Sequence, residues 1–481
     1  MIKPVTRRES LLAGLFGSGY IGLRALATGL PPWFLLNPRR ATAQTLQCML
    51  NAANNNQYLI LSTSSNGDPL NCNAPGTYEA TDIIHPTQDE VSATTVSVGG
   101  KTLGAALPWA DPSVTSTGGS AGQFGSSILG RTTFFHHLTG TVVHGDQPKV
   151  MKVMGATAGG EMMVSAFAKH LATCFGTVRT EPIAVGAGFN GGELVSFGGR
   201  TLPAISPLQL KQLLTGSTSD PLVKLRATRD TSLDAINTLI KNEYSAGSVQ
   251  AQFLDALASS QTQVRALANQ LATTLSKITA NDVTGQSWAA AALIAAKVTP
   301  VVTMHISFGG DNHSDSNLQG EADQTVSGVA AINKLLMTDT TNGILASLGL
   351  LDQVTFSTMN VFGRNLAGIS KVTARTGRDH WGNHNIMLMI GKNFKSSVIG
   401  GVTPVSGTTG ASGYAASDID SASGSATKGG DIPAAQTFVA AARTLGSGLG
   451  IPDSVQTTDW IASAGGKTVA AALTAIPTQA S

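Results

Sequence analysis

Short, uninterrupted apolar runs alternate along this chain with segments whose apolar residues recur every three or four positions. The runs are "QYLILSTS" (57–64), "VTPVVTMHISFGG" (298–310), "QVTFSTMNVFGR" (353–364) and "HNIMLMIG" (384–391). Continuous apolar strands suit a parallel sheet covered on both faces. Helical spacing appears in "PLVKLRATRDTSLDAINTLIKNEYSAG", in "VQAQFLDALASSQTQVRALANQLATTLSKI", and over 323–337 and 434–449. Strands alternating with helices predict an α/β fold, a three-layer sandwich with a mostly parallel central sheet. Residues 57–64, 298–308, 353–361 and 384–391 are expected to be neighbouring strands of it. The helical pair at about 221–278 predicts an inserted hairpin, and the small polar residues of 404–430 predict a loop.

Polar residues gather where these strands end. Asp68 follows the first run in "SNGDPLN", and Asp311 and His313 follow the second in "GGDNHSD". Asp379, His380 and His384 lie together in "TGRDHWGNHN" (376–385), which holds two of the nine histidines. In an open α/β sheet, ligands collect beyond the carboxyl ends of the strands. Carboxylates with imidazoles make a hard-to-borderline donor set, suited to Zn, Mn or Fe and, with more oxygen, to Mg and Ca. Spacing alone leaves a metal site, an acid/base pair and a polar loop all open. His144 in "VVHGDQPK" and His136–His137 in "FFHHLTG" compete for roles, whereas His305, inside an apolar strand, reads as a satisfied core histidine. Arg364 and Arg378 suit either an oxyanion or structural carboxylates. No G-x-S-x-G occurs near the candidate acids, and "GATAGGEMM" lacks the lysine of a phosphate-binding loop.

Charge narrows the partners. Charged residues are 12% of the chain, about half the usual share. Residues 1–43 read as an export signal: Arg7–Arg8, a weakly apolar stretch, and "ATA" before Gln44. Paired arginines before a modest apolar region resemble a twin-arginine signal, which implies the twin-arginine translocase as partner during export and a periplasmic or secreted protein. Arg24 and Pro31–Pro32 interrupt the span, and no later run is long enough to cross a bilayer. The mature chain, 44–481, keeps 25 basic and 28 acidic residues, a net charge of −3 and no footprint for nucleic acid. Three cysteines allow one internal bridge; an exported compartment permits Cys48–Cys72, and a pair of buried thiols is equally open.

The order of segments carries more than any one motif. The arginine-pair leader, "GDPLN", "FGGDNH", "NVFGR" and "GRDHWGNHNIMLMIG", then a helix before "GLGIP", resembles an exported bacterial family known as domain of unknown function 1501. That family is placed in the alkaline phosphatase and sulfatase superfamily. The resemblance implies an alkaline phosphatase-like fold and a site for one or two divalent ions (Zn, Mn, Mg or Ca). Asp68, Asp379 and His380 match the ligands of one ion; Asp311, His313 and His384 match those of a second. The implied activity is metal-dependent hydrolysis of phosphate or sulfate esters, small or polymeric, with activated water or a Thr attacking. Relatives often place Ser before the residue matching His144, where Val143 stands here, so Thr139 and Thr141 are the nucleophile candidates beside His144. Val361 stands where relatives carry an acid, and Cys72 and Cys174 lack the C-x-P-x-R context of sulfatase maturation. These departures keep open a non-catalytic exported protein that uses the same fold for binding or assembly at the cell surface.

Overall fold

Strand β1 (Tyr58–Ser64) is buried along its whole length, and its side chains divide between two cores. Leu59 and Leu61 join one with Phe135, Val301 and Met387. Tyr58 and Ile60 join the other with Phe134, Val302, Phe356 and Leu388. Strand side chains alternate between faces, so the sheet is covered on both sides. The computed structural model describes residues 55–475 apart from 81–82, 111–125, 187–194, 216–225, 246–247, 249–257, 259–270, 367–376, 406–412 and 460–465. The expected export signal therefore lies outside the described residues, and about half of the expected hairpin at 221–278 lies outside them.

The central sheet has seven strands: β1, β2 (Thr132–His137), β3 (Ile183–Ala184), β4 (Val301–Met304), β5 (Val354–Asn360), β6 (Asn385–Ile390) and β7 (Ser397–Ile399), in the order β7-β2-β6-β5-β1-β4-β3. The four expected strands are thus contiguous. β1 pairs in parallel with β4 (Leu59 opposite Val301) and with β5 (Tyr58 opposite Val354). β6 is the exception, antiparallel to both β2 and β5. The sheet is mostly parallel, as expected, and the run at 384–391 is its reversed strand. A continuous apolar run reports burial on both faces, which helices provide in either strand direction. The reversal has a consequence for the site: the loop that precedes β6 reaches the same sheet edge as the loops that follow β1, β2, β4 and β5.

Helices α1 (Met163–Phe175) and α5 (Thr437–Gly448) cover one face, through Met163, Phe167, Phe438 and Leu445. Helices α3 (Val283–Ala295) and α4 (Gln319–Leu336) cover the other, through Ala291, Ile294, Val326 and Ile332. Helix α2 (Arg226–Asn242) falls within the expected insertion. Local chemistry sets helix ends: Asp282 caps α3 by accepting from Gly285 N at 2.7 Å, and Gly176 closes α1 in the left-handed region. The stretch 404–430 is not wholly irregular, since Val402–Pro404 pairs with Tyr414–Ala416. Cys72 is a free, buried thiol whereas Cys174 is disulfide-bonded, which rules out the Cys48–Cys72 bridge. No helix among the described residues is long and apolar enough to cross a membrane.

Candidate metal centre

Three loops deliver histidines to one carboxylate. His144 follows β2, Asp311 and His313 follow β4, and His380 precedes β6. Donor atoms of His144, Asp311 and His380 all lie within 4.8 Å of one another, a group able to hold a metal ion. His144 Nε2 stands 3.5 Å from Asp311 Oδ2; His313 Nε2 and His380 Nε2 stand 3.2 and 3.5 Å from Oδ1. The carboxylate is 44% exposed, so the group opens to solvent.

Each ring is oriented through its other nitrogen. His144 Nδ1 donates to Ser65 O at 2.6 Å, and His380 Nδ1 donates to Val142 O at 2.7 Å. A carbonyl only accepts, so in both rings Nδ1 carries a proton, and in the neutral form of each ring Nε2 holds the lone pair. His313 turns Nδ1 to the Asp379 carboxylate, 3.4 Å away. This is the arrangement found behind metal-ligating histidines. It leaves His313 Nε2 and His380 Nε2 facing each other at 2.8 Å. Either one of the two nitrogens carries a proton, making this an N–H···N hydrogen bond, or a cation lies between two lone pairs.

Local geometry and charge support the group. The Phe362 ring lies 4.3 Å from the His380 ring and 5.1 Å from that of His144. Gly67 turns with φ +68°, and a Cβ there would stand 1.9 Å from Phe362, so glycine lets the β1 loop pass this ring. Burial raises the Asp311 carboxyl, but the Arg364 guanidinium, with His313 and His144, outweighs it and holds the group below its ordinary range. Burial, then the Arg364 charge, lowers the His380 imidazole. An ionised carboxylate and a neutral imidazole are the forms that ligate a metal.

Other candidates have different places. Asp68 is fully buried and raised by burial; its Oδ1 accepts from Gly310 N at 3.1 Å and from Ser64 Oγ at 3.3 Å. It braces the turn that carries Asp311 and is not among the converging donors. Asp379 meets His313 Nδ1 rather than the group itself. His384 is corrected: its Nε2 is 2.9 Å from His136 Nδ1 and its Nδ1 is 3.2 Å from Asn71 Nδ2, so neither nitrogen is left for an ion. Of the two roles open to Arg378, the structure shows the structural cation rather than the oxyanion donor, because its guanidinium is taken up by Glu321 (2.7 and 3.0 Å), Asn365 O and Ile84 O. Arg364 is likewise buried, bonded to Asn66 O, Gly67 O, Gly310 O and Asp311. The Thr141 hydroxyl donates to Asp146 at 2.6 Å, and the Thr139 hydroxyl is buried with no hydrogen-bond partner among the described residues. Both side chains are buried. His305 is buried as expected, but its Nδ1 has no partner among the described residues, so it is not a satisfied core histidine.

Sequence reasoning missed Phe362, Asn71 and the carbonyls of Ser65 and Val142. A carbonyl leaves no residue-type signal, although the exposed valines beside His144 mark an unusual loop (Val143 is 55% exposed). A family model described as protein of unknown function (DUF1501) matches residues 186–419, which supports the resemblance to that family. No curated protein and no solved structure matches the chain.

Proposed function

We propose that the chain is an exported, metal-dependent hydrolase of phosphate or sulfate esters, and that His144, Asp311 and His380, joined by His313, hold its divalent ion. The observation that carries the reading is the convergence of His144, Asp311 and His380, whose donor atoms lie within 4.8 Å of one another, with His313 Nε2 2.8 Å from His380 Nε2. Three imidazoles and one carboxylate suit a borderline ion such as Zn better than Mg or Ca. A bound ion of this kind supplies a Lewis acid that polarises an ester oxygen and makes water acidic. The chain's own part is orientation: Ser65 O and Val142 O fix two rings, Arg364 holds the carboxylate ionised, and Phe362 walls one side. With both candidate threonines engaged elsewhere or buried, water is the attacking group.

The ester class, the alkaline phosphatase-like relationship and twin-arginine export rest on segment order and on the arginine-pair leader. The test is hydrolysis of aryl phosphate and aryl sulfate esters by the mature chain, with metal and after chelation. Metal-dependent turnover lost in His380→Leu supports the hydrolase. Metal binding without turnover of either ester favours the second reading, a non-catalytic surface protein, to which the unsuited threonine hydroxyls point. For export, changing Arg7 and Arg8 together to Lys should abolish translocation in cell fractionation; undiminished export contradicts it.

A further inference from the structure

A buried hydrogen-bond sequence with every proton assigned ends on two members of the centre. His136 Nε2 lies 3.1 Å from Pro75 O, which only accepts, so His136 Nδ1 holds a lone pair. His384 Nε2, 2.9 Å from that nitrogen, donates to it and leaves its own Nδ1 to accept from Asn71 Nδ2 at 3.2 Å. The same Asn71 amide grips the backbone of Arg364 twice: Nδ2 donates to Arg364 O at 2.8 Å, and Oδ1 accepts from Arg364 N at 2.9 Å. Asn71, His136, His384 and Arg364 are all fully buried. Gly363 allows the approach, because a Cβ there would lie 2.2 Å from His384 O and 2.8 Å from Asn71 Cγ. From Arg364 the connection divides. Its backbone pairs antiparallel with His380, and its Nη2 donates to Asp311 Oδ1 at 2.9 Å.

We infer that Asn71 is a positioning residue for the metal centre, acting through Arg364 on both Asp311 and His380, with His384 and His136 as the tether that fixes its amide. A flipped amide would set its oxygen against the lone pair of His384 Nδ1 and its NH2 against Arg364 N–H. The direction of the histidine pair forbids that flip. The inference rests on the metal-binding reading of the site, and it explains two residues, His136 and His384, that touch no candidate ligand.

The experiment is a Co2+ titration of chelator-treated mature chain, read by visible absorption, on wild type, Asn71→Leu, His384→Leu and His384→Gln. Circular dichroism establishes that each is folded. Asn71→Leu and His384→Leu should weaken Co2+ binding by about 10- to 100-fold, the usual cost of losing support behind a ligand, and alter the absorption envelope. His384→Gln, whose amide can accept from Asn71 and donate to His136, should restore wild-type binding; that rescue separates positioning from bulk stability. Should Asn71→Leu fail to fold, the two His384 variants carry the test. Folded Leu variants with wild-type affinity and spectrum overturn the inference. Wild type that binds no Co2+ overturns the metal reading instead. Positioning is then read in the metal-free chain from the His380 ring 15N shifts, which Asn71→Leu must move; unmoved shifts overturn it.

Discussion

Replacing Asp311 by Asn removes one negative charge at nearly constant volume from the point where three imidazoles meet. Zn affinity, measured by calorimetric titration, should fall by at least about tenfold. Asp379→Asn should cost less, because that carboxylate reaches the group only through His313 Nδ1. Equal losses in the two variants would contradict this ranking. Arg378→Met tests the structural assignment: it leaves Glu321 buried and unpaired, and should destabilise by about 3–5 kcal/mol in urea. A loss below about 1 kcal/mol, the scale of an exposed pair, would contradict it. At this scale the sequence was informative about type and poor about role. Asp311, His313 and His380 stood out as polar residues at strand ends. His384 and Arg378, close to His380 in the chain, look equally chemical but are buried in other networks. What separates them is the partner of each nitrogen, and for His144 and His380 that partner is a backbone carbonyl no motif encodes.

The elements were more legible, because burial on two faces writes itself as an unbroken apolar run. The strands at 57–64 and 353–361 match β1 and β5 closely, while 298–308 overshoots β4 because Ile306 and Phe308 are buried without continuing the ladder. Direction is not written in such a run, and the reversal of β6 went unseen. That reversal brings the 377–384 loop to the site edge. Approach between loops is also invisible to periodicity, and Gly67 tests it. Gly67→Ala adds a methyl against Phe362 at a left-handed φ. It should destabilise by more than the roughly 1–2 kcal/mol of the backbone conformation alone, and Phe362→Ala should recover part of the excess. Strict additivity of the two changes in urea denaturation would show that the ring is not the obstacle.

The whole molecule holds several imidazoles away from water. Burial lowers His85 and His136 to about 4 and His137 to about 3, and takes His384 well below 6.5. Their folded values lie below the unfolded one, so under pH 6.5 the unfolded chain binds more protons. Stability is therefore complete above about 6.5 and falls as pH drops toward 4, by up to about 1.4 kcal/mol per pH unit for each histidine. Asp68, raised by burial, opposes this from 3.8 upward, one group against five once the lowered His380 is included. Urea denaturation at pH 7.5, 6 and 5 should show the decline, and a flat profile would contradict the assigned neutral rings. The central claim is the metal centre itself. Its most direct measurement is elemental analysis of the chain purified without chelator, beside Asp311→Asn and His380→Leu. A stoichiometric divalent metal in wild type, lost from both variants, is the predicted result. Wild type without metal, melting at the same temperature with or without added Zn or Mn, would contradict it.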